Sequence, residues 1–434
     1  MAEVAARVTA VTRISTFCVT ATLDLVLRWV FLAYLLTVGS YLILQTAFAE
    51  RARRRTAIAA RPAGLPTVDV VIPCYNEEPA ELAACLDSIA RQDYAGEIRV
   101  HVVDDGSPNR AELDAVYREF SRHNGNRVIL LPANMGKRHA QAQAIVDSDG
   151  EVVISVDSDT EIAPDGVRRL VAALDDPRVG AAMGEMRAAN ASVNWLTRII
   201  DRRYWYACNQ ERAAQSLFGS VLCCSGPFSA YRRSVLERTL DQYLNQTFRN
   251  RPSTHGEDRH LTNLVLGTGM RTVYVGGAVA ATVVPERLKP FLRQQLRWNR
   301  CVYRDMVAIL PRLPARGLYL VLDAAVQILA PALLAASVVL LVLHGILVGL
   351  DSLAPYGIGL ALVALGYCAY GVWRTRTLGF LGFALYGLMH VVLLIPVRVQ
   401  ALLTLSDDRW GQRATALRRE FLPARPPSDA QSGD

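Results

Sequence analysis

Two pairs of carboxylates in this chain combine a residue type and a spacing that could do chemistry. Asp157 and Asp159 flank Ser158, and carboxylates one residue apart on a turn can bind one divalent cation from the same side. Mg²⁺ or Mn²⁺ held there would offset the negative charge that develops on a leaving phosphate. An isolated Asp-x-Asp sequence more often marks a surface turn. The apolar strand predicted directly before it, Val152–Val156, favours the metal site instead.

The second pair, Glu257-Asp258, follows a polar loop and precedes a helix predicted to open at Leu261. Asp258 could act as a general base that takes the proton from an attacking hydroxyl group. One base and one metal suffice for inversion at an anomeric carbon, because a diphosphate is already a good leaving group. Retention would require a second carboxylate as nucleophile. The alternative is a capping role, because a helix N-terminus favours negative charge.

Residues suited to a nucleotide follow two other predicted strands. Asp104-Asp105 ends one of them, and a carboxylate there can accept hydrogen bonds from a ribose or a base. The alternative is a capped turn at Ser107, which would leave the two adjacent acids unexplained. Tyr75 follows the other strand and could stack on a base, or simply pack within its loop.

The segment Leu288–Val302 is amphipathic and carries Gln294, Arg297 and Trp298. The guanidinium of Arg297 offers a fork that suits a diphosphate, and Trp298 offers a flat face that suits a sugar ring. The same composition fits an interfacial helix with Arg and Trp at the level of the lipid headgroups. Both interpretations hold together if the site abuts a membrane.

Two shorter segments have equally plain alternatives. Lys137-Arg138-His139 could reach phosphates or cap a helix. Cys223-Cys224-Ser225-Gly226-Pro227 is a turn of small residues that could form a floor for an acceptor sugar, although tight backbone packing explains it as well.

The elements that must position these residues alternate between strand and helix. Strands are predicted at Val68–Pro73, Ile98–Val103, Arg127–Leu131 and Glu151–Val156, with helices near Pro79–Arg91, Arg110–Arg122 and Arg138–Val146 and a proline-initiated helix from Pro164. This pattern predicts an α/β fold with a mostly parallel sheet, in which ligands bind at the carboxyl ends of the strands. Both Asp104-Asp105 and Asp157–Asp159 fall at such ends, which makes them one site hypothesis.

Apolar runs near both ends of the chain predict a membrane protein. Val26–Phe48 is about long enough to span a bilayer, and a basic stretch follows it, so a retained anchor with a cytoplasmic continuation is expected. Three more apolar stretches lie near residues 317–349, 355–373 and 378–404. Three full spans would put the arginine-rich tail outside, contrary to its charge. Either one stretch is interfacial or re-entrant, or the first of the three contains an extra element.

Composition narrows the choice of partners. The net charge of the 434 residues is +7, but much of the arginine flanks the apolar runs and so indicates membrane topology rather than nucleic-acid binding. The eight cysteines have no CxxC spacing. They are therefore interpreted as buried, reduced thiols in a protein whose soluble part is cytosolic, without a cysteine-based metal site.

The ordered acidic pairs followed by Gln294-Gln295-Leu296-Arg297-Trp298 resemble the processive, membrane-embedded family 2 glycosyltransferases. Longer strings are similar to the nodulation chitooligosaccharide synthases (NodC type): Trp195–Arg198, Tyr204–Asn209, Glu211–Gln215, Gly256–Thr262, Ala281–Pro285 and Leu292–Trp298. The resemblance covers Val68 to Arg413. It implies a GT-A type nucleotide-sugar-binding domain with transmembrane and interfacial helices. It also implies inverting transfer of N-acetylglucosamine from UDP-N-acetylglucosamine into β-1,4-linked chitin oligosaccharides.

The resemblance also implies roles for individual residues. Asp258, Glu257 and Asp159 would be catalytic, and Asp157 with Asp159 would hold the metal. The donor would contact Tyr75, Asn76, Glu77, Asp104, Asp105, Lys137, Asp157, Arg297 and Trp298. The acceptor would contact Ser225, Gly226, Pro227, Gln294 and Trp298.

Other residues resemble bacterial hyaluronan synthase, namely Tyr243–Phe248, Arg297-Trp298-Asn299 and Trp410-Gly411-Gln412-Arg413. The last motif, in which Gln412 replaces a threonine, implies a gating loop of Trp410, Gly411 and Arg413 over a cytosolic active site. A hyaluronan synthase that uses UDP-N-acetylglucosamine and UDP-glucuronate is therefore the first alternative. A membrane-anchored nucleotide-sugar binding or transport component is a more remote one, because pure binding needs no base such as Asp258.

The expected organisation has five parts. They are an N-terminal anchor with a basic linker (1–61), a cytosolic GT-A domain (62–287), an interface helix region (288–315), a C-terminal transmembrane region (316–404) and a cytosolic tail (405–434). The expected partners are a UDP-sugar donor, a growing saccharide chain and the lipid bilayer of the bacterial inner membrane.

Overall fold

The computed structural model of the protein describes residues 2–56, 64–123, 125–253 and 255–407. The strands are β1 (Val68–Cys74), β2 (Ile98–Asp104), β3 (Arg127–Leu130), β4 (Val152–Val156), β5 (Thr160–Ile162), β6 (Val179–Ala188), β7 (Phe228–Arg232), β8 (Thr247–Phe248), β9 (Arg251–Pro252) and β10 (Arg271–Thr282). The helices are α1 (Ala2–Thr56), α2 (Pro79–Ala90), α3 (Arg110–Phe120), α4 (Lys137–Val146), α5 (Gly166–Ala173), α6 (Trp195–Tyr206), α7 (Ala213–Leu217), α8 (Arg233–Leu244), α9 (Glu257–Gly267), α10 (Leu288–Ile309), α11 (Leu318–Val348), α12 (Ala354–Thr375), α13 (Ala384–Met389) and α14 (Ile395–Leu403). The predicted gating loop lies outside the described residues.

Eight strands form one sheet in the order β3-β2-β1-β4-β7-β6-β10-β5. The neighbours β3, β2, β1 and β4 are parallel, as are β6 and β10, whereas β7 and β5 run antiparallel to their neighbours. The predicted α/β fold with a mostly parallel sheet is thus confirmed. Every residue of β1 and of β4 is buried. Continuous apolar runs of this kind are typical of central strands that helices cover on both faces.

The reversed strand β7 determines which loops meet at the carboxyl edge of the sheet. Phe228, the first residue of β7, pairs with Val156, the last residue of β4. The loop that precedes β7 therefore meets the turn that follows β4. This loop is the small-residue turn that ends at Pro227.

Two predicted helix boundaries differ from the observed ones. The helix expected to open at Leu261 begins at Glu257, so the second acidic pair occupies its first turn. Its N-cap, Gly256, has φ of 85°, a left-handed conformation that glycine adopts without strain. The helix expected from Pro164 begins at Gly166, after a turn in which Gly166 N donates to the carbonyl oxygen of Ala163 over 2.8 Å.

In the described parts of the chain, four helical segments are long and apolar enough to cross a membrane: Cys18–Arg54, Leu318–Val348, Leu350–Thr375 and Leu378–Leu403. At one end of the bundle that these helices form, Nε2 of His344 lies 3.3 Å from the carboxylate of Asp24. At the other end, the hydroxyl of Tyr370 donates to Glu50 over 3.1 Å. The helix α1 is thus antiparallel to α11 and parallel to α12.

The last apolar segment begins and ends against the sheet domain and its flanking helix. Near its start, the ring of Phe380 lies 5.0 Å from that of Trp205 on α6. Just beyond its end, Arg300 on α10 donates to Thr404 Oγ1 over 2.8 Å and lies 3.2 Å from a carboxylate oxygen of Asp407. Both ends of this segment lie on one side of the bundle, which favours the interfacial or re-entrant alternative.

Candidate active site

The two predicted acidic pairs come together around one lysine. Lys137 is the first residue of α4, and its Nζ lies 2.6 Å from Oδ1 of Asp157 and 3.5 Å from Oε1 of Glu257. Burial disfavours the ammonium charge, but the carboxylates of Asp157 and Glu257 raise the pKa of Lys137 well above its ordinary value. The turn after β4 and the first turn of α9 therefore form one site with a cation between them.

Asp258 faces the loop that precedes β7. The amide nitrogen of Gly226 donates to Oδ2 of Asp258 over 3.0 Å. A Cβ atom at position 226 would lie 3.0 Å from Lys137 Nζ and 3.2 Å from both carboxylate oxygens of Asp258, so the absence of a side chain allows this close approach. Gly226 thereby holds the carboxylate of Asp258 in place.

The pKa values of the two carboxylates in the first turn of α9 shift in opposite directions. Burial, followed by the charge of Glu257, raises the pKa of Asp258. Burial acts in the same direction on Glu257, but the nearby ammonium of Lys137 lowers the pKa of that residue. A carboxylate with a raised pKa accepts a proton more readily, so Asp258 has the properties of a general base near neutral pH.

Asp159 lies on the same turn as Asp157 and is oriented by two hydroxyl groups. Thr160 Oγ1 and Thr282 Oγ1 each donate to its Oδ1 over 3.2 Å. Thr282 reaches this position because it ends β10 and pairs with Thr160 on β5. Burial and the charge of Asp157 raise the pKa of Asp159. The two carboxylates thus disfavour each other when both are charged.

The carboxylate oxygens of Asp157 and Asp159 fit a divalent cation, whose coordination shell the substrate would complete. No group of three or more His, Cys, Asp or Glu residues that could hold a metal ion occurs in the described parts of the chain. Mg²⁺, however, is usually bound by one or two carboxylates together with substrate phosphates and water, and a cation would relieve the repulsion between Asp157 and Asp159. Glu77 lies near this turn, since its Oε1 accepts from Ser158 Oγ over 2.9 Å, and burial raises its pKa to about 6.

Both Asp104 and Asp105 accept hydrogen bonds from groups of the protein. Asp104 is fully buried and accepts hydrogen bonds from Ser107 N (2.8 Å), Arg110 Nη2 (2.7 Å) and Tyr117 OH (2.8 Å). Although burial opposes it, these donors lower the pKa of Asp104. In this arrangement the carboxylate of Asp104 stabilises the turn, and its predicted contact with the donor stays a prediction.

Asp105 contacts the loop that leads to Lys137. Its Oδ1 accepts from Met135 N over 2.6 Å, and its Oδ2 accepts from Gly136 N over 2.8 Å. It is 2% exposed, and burial raises its pKa to about 6. In this arrangement Asp105 positions α4, and its predicted contact with the donor stays a prediction. Two other residues with predicted donor contacts lie nearer the surface, because Tyr75 is 44% exposed and Asn76 is also exposed. Asn76 has a left-handed φ of 56°.

The predicted acceptor residues lie on α10 and on the loop before β7. Trp298 is 39% exposed, and its ring lies 6.5 Å from that of Tyr204 at an angle of 36°. Gln294, one turn before it, has a buried Oε1 with no hydrogen-bond partner among the residues that the structure describes. An unpaired buried oxygen and two aromatic faces suit the hydroxyl groups and ring faces of a saccharide.

The loop that precedes β7 is held by the side chain of Arg212. Its Nε donates to the carbonyl oxygen of Cys223 over 3.3 Å, and its Nη2 lies 3.5 Å from Ser225 Oγ. Arg212 ends a π-helical turn, Ala207–Arg212, and such turns occur frequently at functional sites. Pro227 is partly buried at the end of the same loop.

Three residues of the site carry no role in the sequence-based assignment: Tyr204, Arg212 and Thr282. Each lies within a string that resembles the nodulation synthases, but a single Tyr, Arg or Thr gives no sign of its contacts. The pairing of β5 with β10 brings Thr282 to Asp159, and the packing of α6 against α10 brings Tyr204 to Trp298. Both contacts are tertiary.

The fold and a family model define the class of protein. The structure is similar to that of the mannosyltransferase PcManGT from Pyrobaculum calidifontis, with a TM-score of 0.59, 23% identity, and coverage of 82% of this chain and 99% of the other. Residues 69–240 match the family described as glycosyl transferase family 2. The chain belongs to glycosyl transferase family 2, and it is a glycosyltransferase with a GT-A-like fold.

Relatives within this family share a more specific description. The N-acetylglucosaminyltransferase of Sinorhizobium fredii is 51% identical over 357 residues, which cover 81% of this chain and 84% of the relative. That of Rhizobium meliloti is 47% identical over 388 residues, which cover 88% and 90%. The resemblance to the nodulation chitooligosaccharide synthase group is thereby confirmed.

Proposed function

We propose that the protein is a processive, inverting glycosyltransferase that polymerises N-acetylglucosamine from UDP-N-acetylglucosamine into β-1,4-linked chitin oligosaccharides. The observation that carries the proposal is the convergence of Asp157, Lys137, Glu257 and Asp258 against Gly226 at the carboxyl edge of the sheet. A site for binding alone would need no carboxylate with a raised pKa beside an acceptor loop. The names of the relatives supply the donor sugar.

In the proposed reaction the acceptor hydroxyl attacks the anomeric carbon from the side opposite the diphosphate. Asp258 takes the hydroxyl proton as the new carbon–oxygen bond forms, and UDP leaves with the electron pair of the broken bond. Gly226 and Glu257 keep the Asp258 carboxylate in position and basic. Trp298 and Tyr204 orient the terminal sugar of the acceptor, because flat sugar faces pack on aromatic rings.

The charge on the diphosphate is balanced by groups on the donor side. A divalent cation held by Asp157 and Asp159 would neutralise the phosphate oxygens, as Mg²⁺ or Mn²⁺ does in phosphoryl chemistry. PcManGT, which has a similar fold, was solved in complex with GDP-Man and Mn²⁺. Lys137, which lies 2.6 Å from Asp157, would then contact the diphosphate directly.

The contacts of the apolar helices support one arrangement in the bacterial inner membrane. In this arrangement α1, α11 and α12 cross the bilayer, and the last apolar segment lies at the interface. The sheet domain and the tail after Asp407 are then both cytoplasmic, which agrees with the charge of the tail. Trp410, Gly411 and Arg413 would form the proposed gating loop.

The product decides between this function and its alternatives. Membranes that contain the protein would be incubated with radiolabelled UDP-N-acetylglucosamine as the only donor. Chitinase-sensitive oligomers are the expected result, and the Asp258→Asn variant should form none, whereas the control Asp114→Asn, an exposed carboxylate on α3, should behave as wild type.

Two other results would replace the proposal. A strict requirement for UDP-glucuronate, with a product that hyaluronidase degrades, would identify a hyaluronan synthase. An absence of incorporation from any donor, with binding of UDP-sugars retained, would identify a binding or transport component.

A further inference from the structure

Arg138 has surroundings that neither of its predicted roles explains. Although it adjoins Lys137, it is only 3% exposed. One of its terminal nitrogens donates to the carbonyl oxygen of Tyr243, and the other donates to Gln246 Oε1 over 2.6 Å. Its guanidinium carbon also lies 4.8 Å from the centre of the Tyr243 ring. Arg138 therefore binds the end of α8 and the residue that precedes β8, rather than hydrogen-bonding to Asp157 or Glu257.

Gln246 continues this contact to the helix of the acceptor side. Its Nε2 donates to Oδ1 of Asp305 over 3.3 Å, and Asp305 is 4% exposed. Asp305 follows Trp298 by about two helical turns, so both residues lie on the same face of α10. The two ends of one amide group thus join the helix of Lys137 to the helix of Trp298.

The same face of α10 is packed against the start of α9. A Cβ atom at Gly256 would lie 2.9 Å from Cys301 Sγ and 3.9 Å from Asp305 Oδ2. Gly256 directly precedes Glu257 and Asp258. The position of α10 is therefore coupled to the position of the proposed base as well as to α4.

The segment that carries Gln246 is itself fixed to the turn of the metal ligands. Tyr243 is 1% exposed, and its hydroxyl donates to Gln141 Oε1 over 2.6 Å. The amide of Gln141 in turn donates to Ser155 Oγ over 2.9 Å, two residues before Asp157. Movement of Gln246 is thus restrained from both sides.

We propose that Arg138, Gln246 and Asp305 form a positioning bridge that sets the distance between the donor side and the acceptor side of the active site. The inference rests on the proposed function, since it assigns α4 to the donor and α10 to the acceptor. None of the three residues contacts substrate. They act through Lys137, Asp258 and Trp298, whose relative placement decides how closely the acceptor hydroxyl approaches the anomeric carbon.

The first test replaces the central amide. Gln246→Leu removes both hydrogen bonds at nearly constant volume. Asn245→Leu is its control, because Asn245 is exposed and its side chain is hydrogen-bonded to Asp241 alone among the residues that the structure describes. Misplacement by about 1 Å can cost about a hundredfold in rate, so a loss of about tenfold in kcat is expected for Gln246→Leu. The KM for the UDP-sugar should stay within about threefold, because donor contacts remain. The control should keep wild-type values of both constants.

The second test measures coupling across the bridge. The variants Arg138→Met and Asp305→Leu are combined, and because both break one connection, the double variant should lose no more kcat than the worse single variant. Asp305→Asn keeps an oxygen that accepts from Gln246 and should retain most of the activity. Gln246→Asn, which is too short to reach both partners, replaces Gln246→Leu if the latter does not fold, as judged by UDP binding in calorimetry.

Three results would overturn the bridge. They are wild-type kcat in Gln246→Leu or Gln246→Asn, multiplying losses in the double variant, and a loss that appears only as a raised KM or a lowered melting temperature. The wild-type protein is assayed first with each UDP-sugar. Failure of the wild type to transfer N-acetylglucosamine refutes the proposed function, whereas the bridge is judged by the ratio of variant to wild-type kcat on whichever donor the wild type uses.

Discussion

Replacement of Gly226 by alanine tests the position of the proposed base with one added methyl group. Gly226 has no positive φ, so alanine fits its backbone and the perturbation is confined to the contacts of the new Cβ atom. That atom would lie 3.0 Å from Lys137 Nζ and 3.2 Å from both oxygens of Asp258, where ordinary contacts begin at 3.4 Å. The Asp258 carboxylate, the lysine or the loop must therefore move by about 0.4 Å.

The size of the effect follows from this displacement. If about 1 Å of misplacement costs about a hundredfold in rate, about 0.4 Å costs roughly sixfold, or about 1 kcal/mol of transition-state free energy. The loss should appear in kcat, because the predicted UDP contacts lie on other loops. Initial rates of sugar transfer across a range of donor concentrations, with UDP affinity from calorimetry, measure both quantities.

Gly267→Ala is the matched control for this substitution. Gly267 ends the same helix, α9, and nothing lies within 4 Å of the position of its added Cβ atom. Its kcat should equal that of the wild type. If Gly226→Ala also had a kcat within about twofold of wild type, the distance between Gly226 and Asp258 would not control the chemical step, and the assigned role of Gly226 in holding the carboxylate would be refuted.

Other changes separate the remaining roles. Asp258→Asn should keep UDP affinity in calorimetry and lower transfer at least about a hundredfold; wild-type turnover would exclude Asp258 as the base. Asp159→Ala should abolish the gain in donor affinity that Mn²⁺ gives the wild type, and calorimetry with and without the ion would show an unchanged gain if Asp159 were no ligand. Asp258 must be deprotonated to accept a proton, and burial raises its pKa to about 7. The value of kcat/KM should therefore fall as the pH is lowered through about 7. A pH profile with its midpoint near the ordinary carboxyl pKa of about 3.9 would contradict the role of Asp258 as the base. Asp104→Ala leaves Arg110 and Tyr117 without their acceptor, so the free energy of unfolding should drop by about 2 kcal/mol, while the UDP affinity of the folded protein stays unchanged. An unchanged melting temperature together with lost UDP binding would instead support the predicted contact of Asp104 with the donor.

The first half of the sheet could be predicted from the sequence, and the second half could not. Strands such as Val68–Cys74 and Val152–Val156 are short runs of β-branched residues bounded by turn signals. The strand Val179–Ala188 instead contains Gly180, Gly184 and several alanines, which have low strand propensity. Its conformation depends on the neighbouring strands β7 and β10, and such pairing has no local signature.

The members of the site were easier to predict than their roles. Asp104 and Asp105 are adjacent acids, but only Asp104 meets Arg110 and Tyr117, which lie on the next helix. Lys137 and Arg138 are adjacent cations on α4, but successive helical side chains are directed about 100° apart. One of them therefore reaches Asp157, and the other reaches Gln246. Such distinctions arise from packing between elements and leave no pattern in the order of residues.

The reversed direction of β7 has a consequence for how acceptor preference can diverge among related enzymes. Because the chain enters β7 at Phe228 from the catalytic edge, the predicted acceptor residues of the preceding loop are anchored at one register position beside Val156. The predicted donor residues, in contrast, lie mainly on the loops that follow β1, β2 and β4 and at the start of α4. Substitutions confined to the short stretch before Phe228 can therefore reshape one substrate pocket while the nucleotide pocket keeps its sequence, so the two specificities are free to evolve separately.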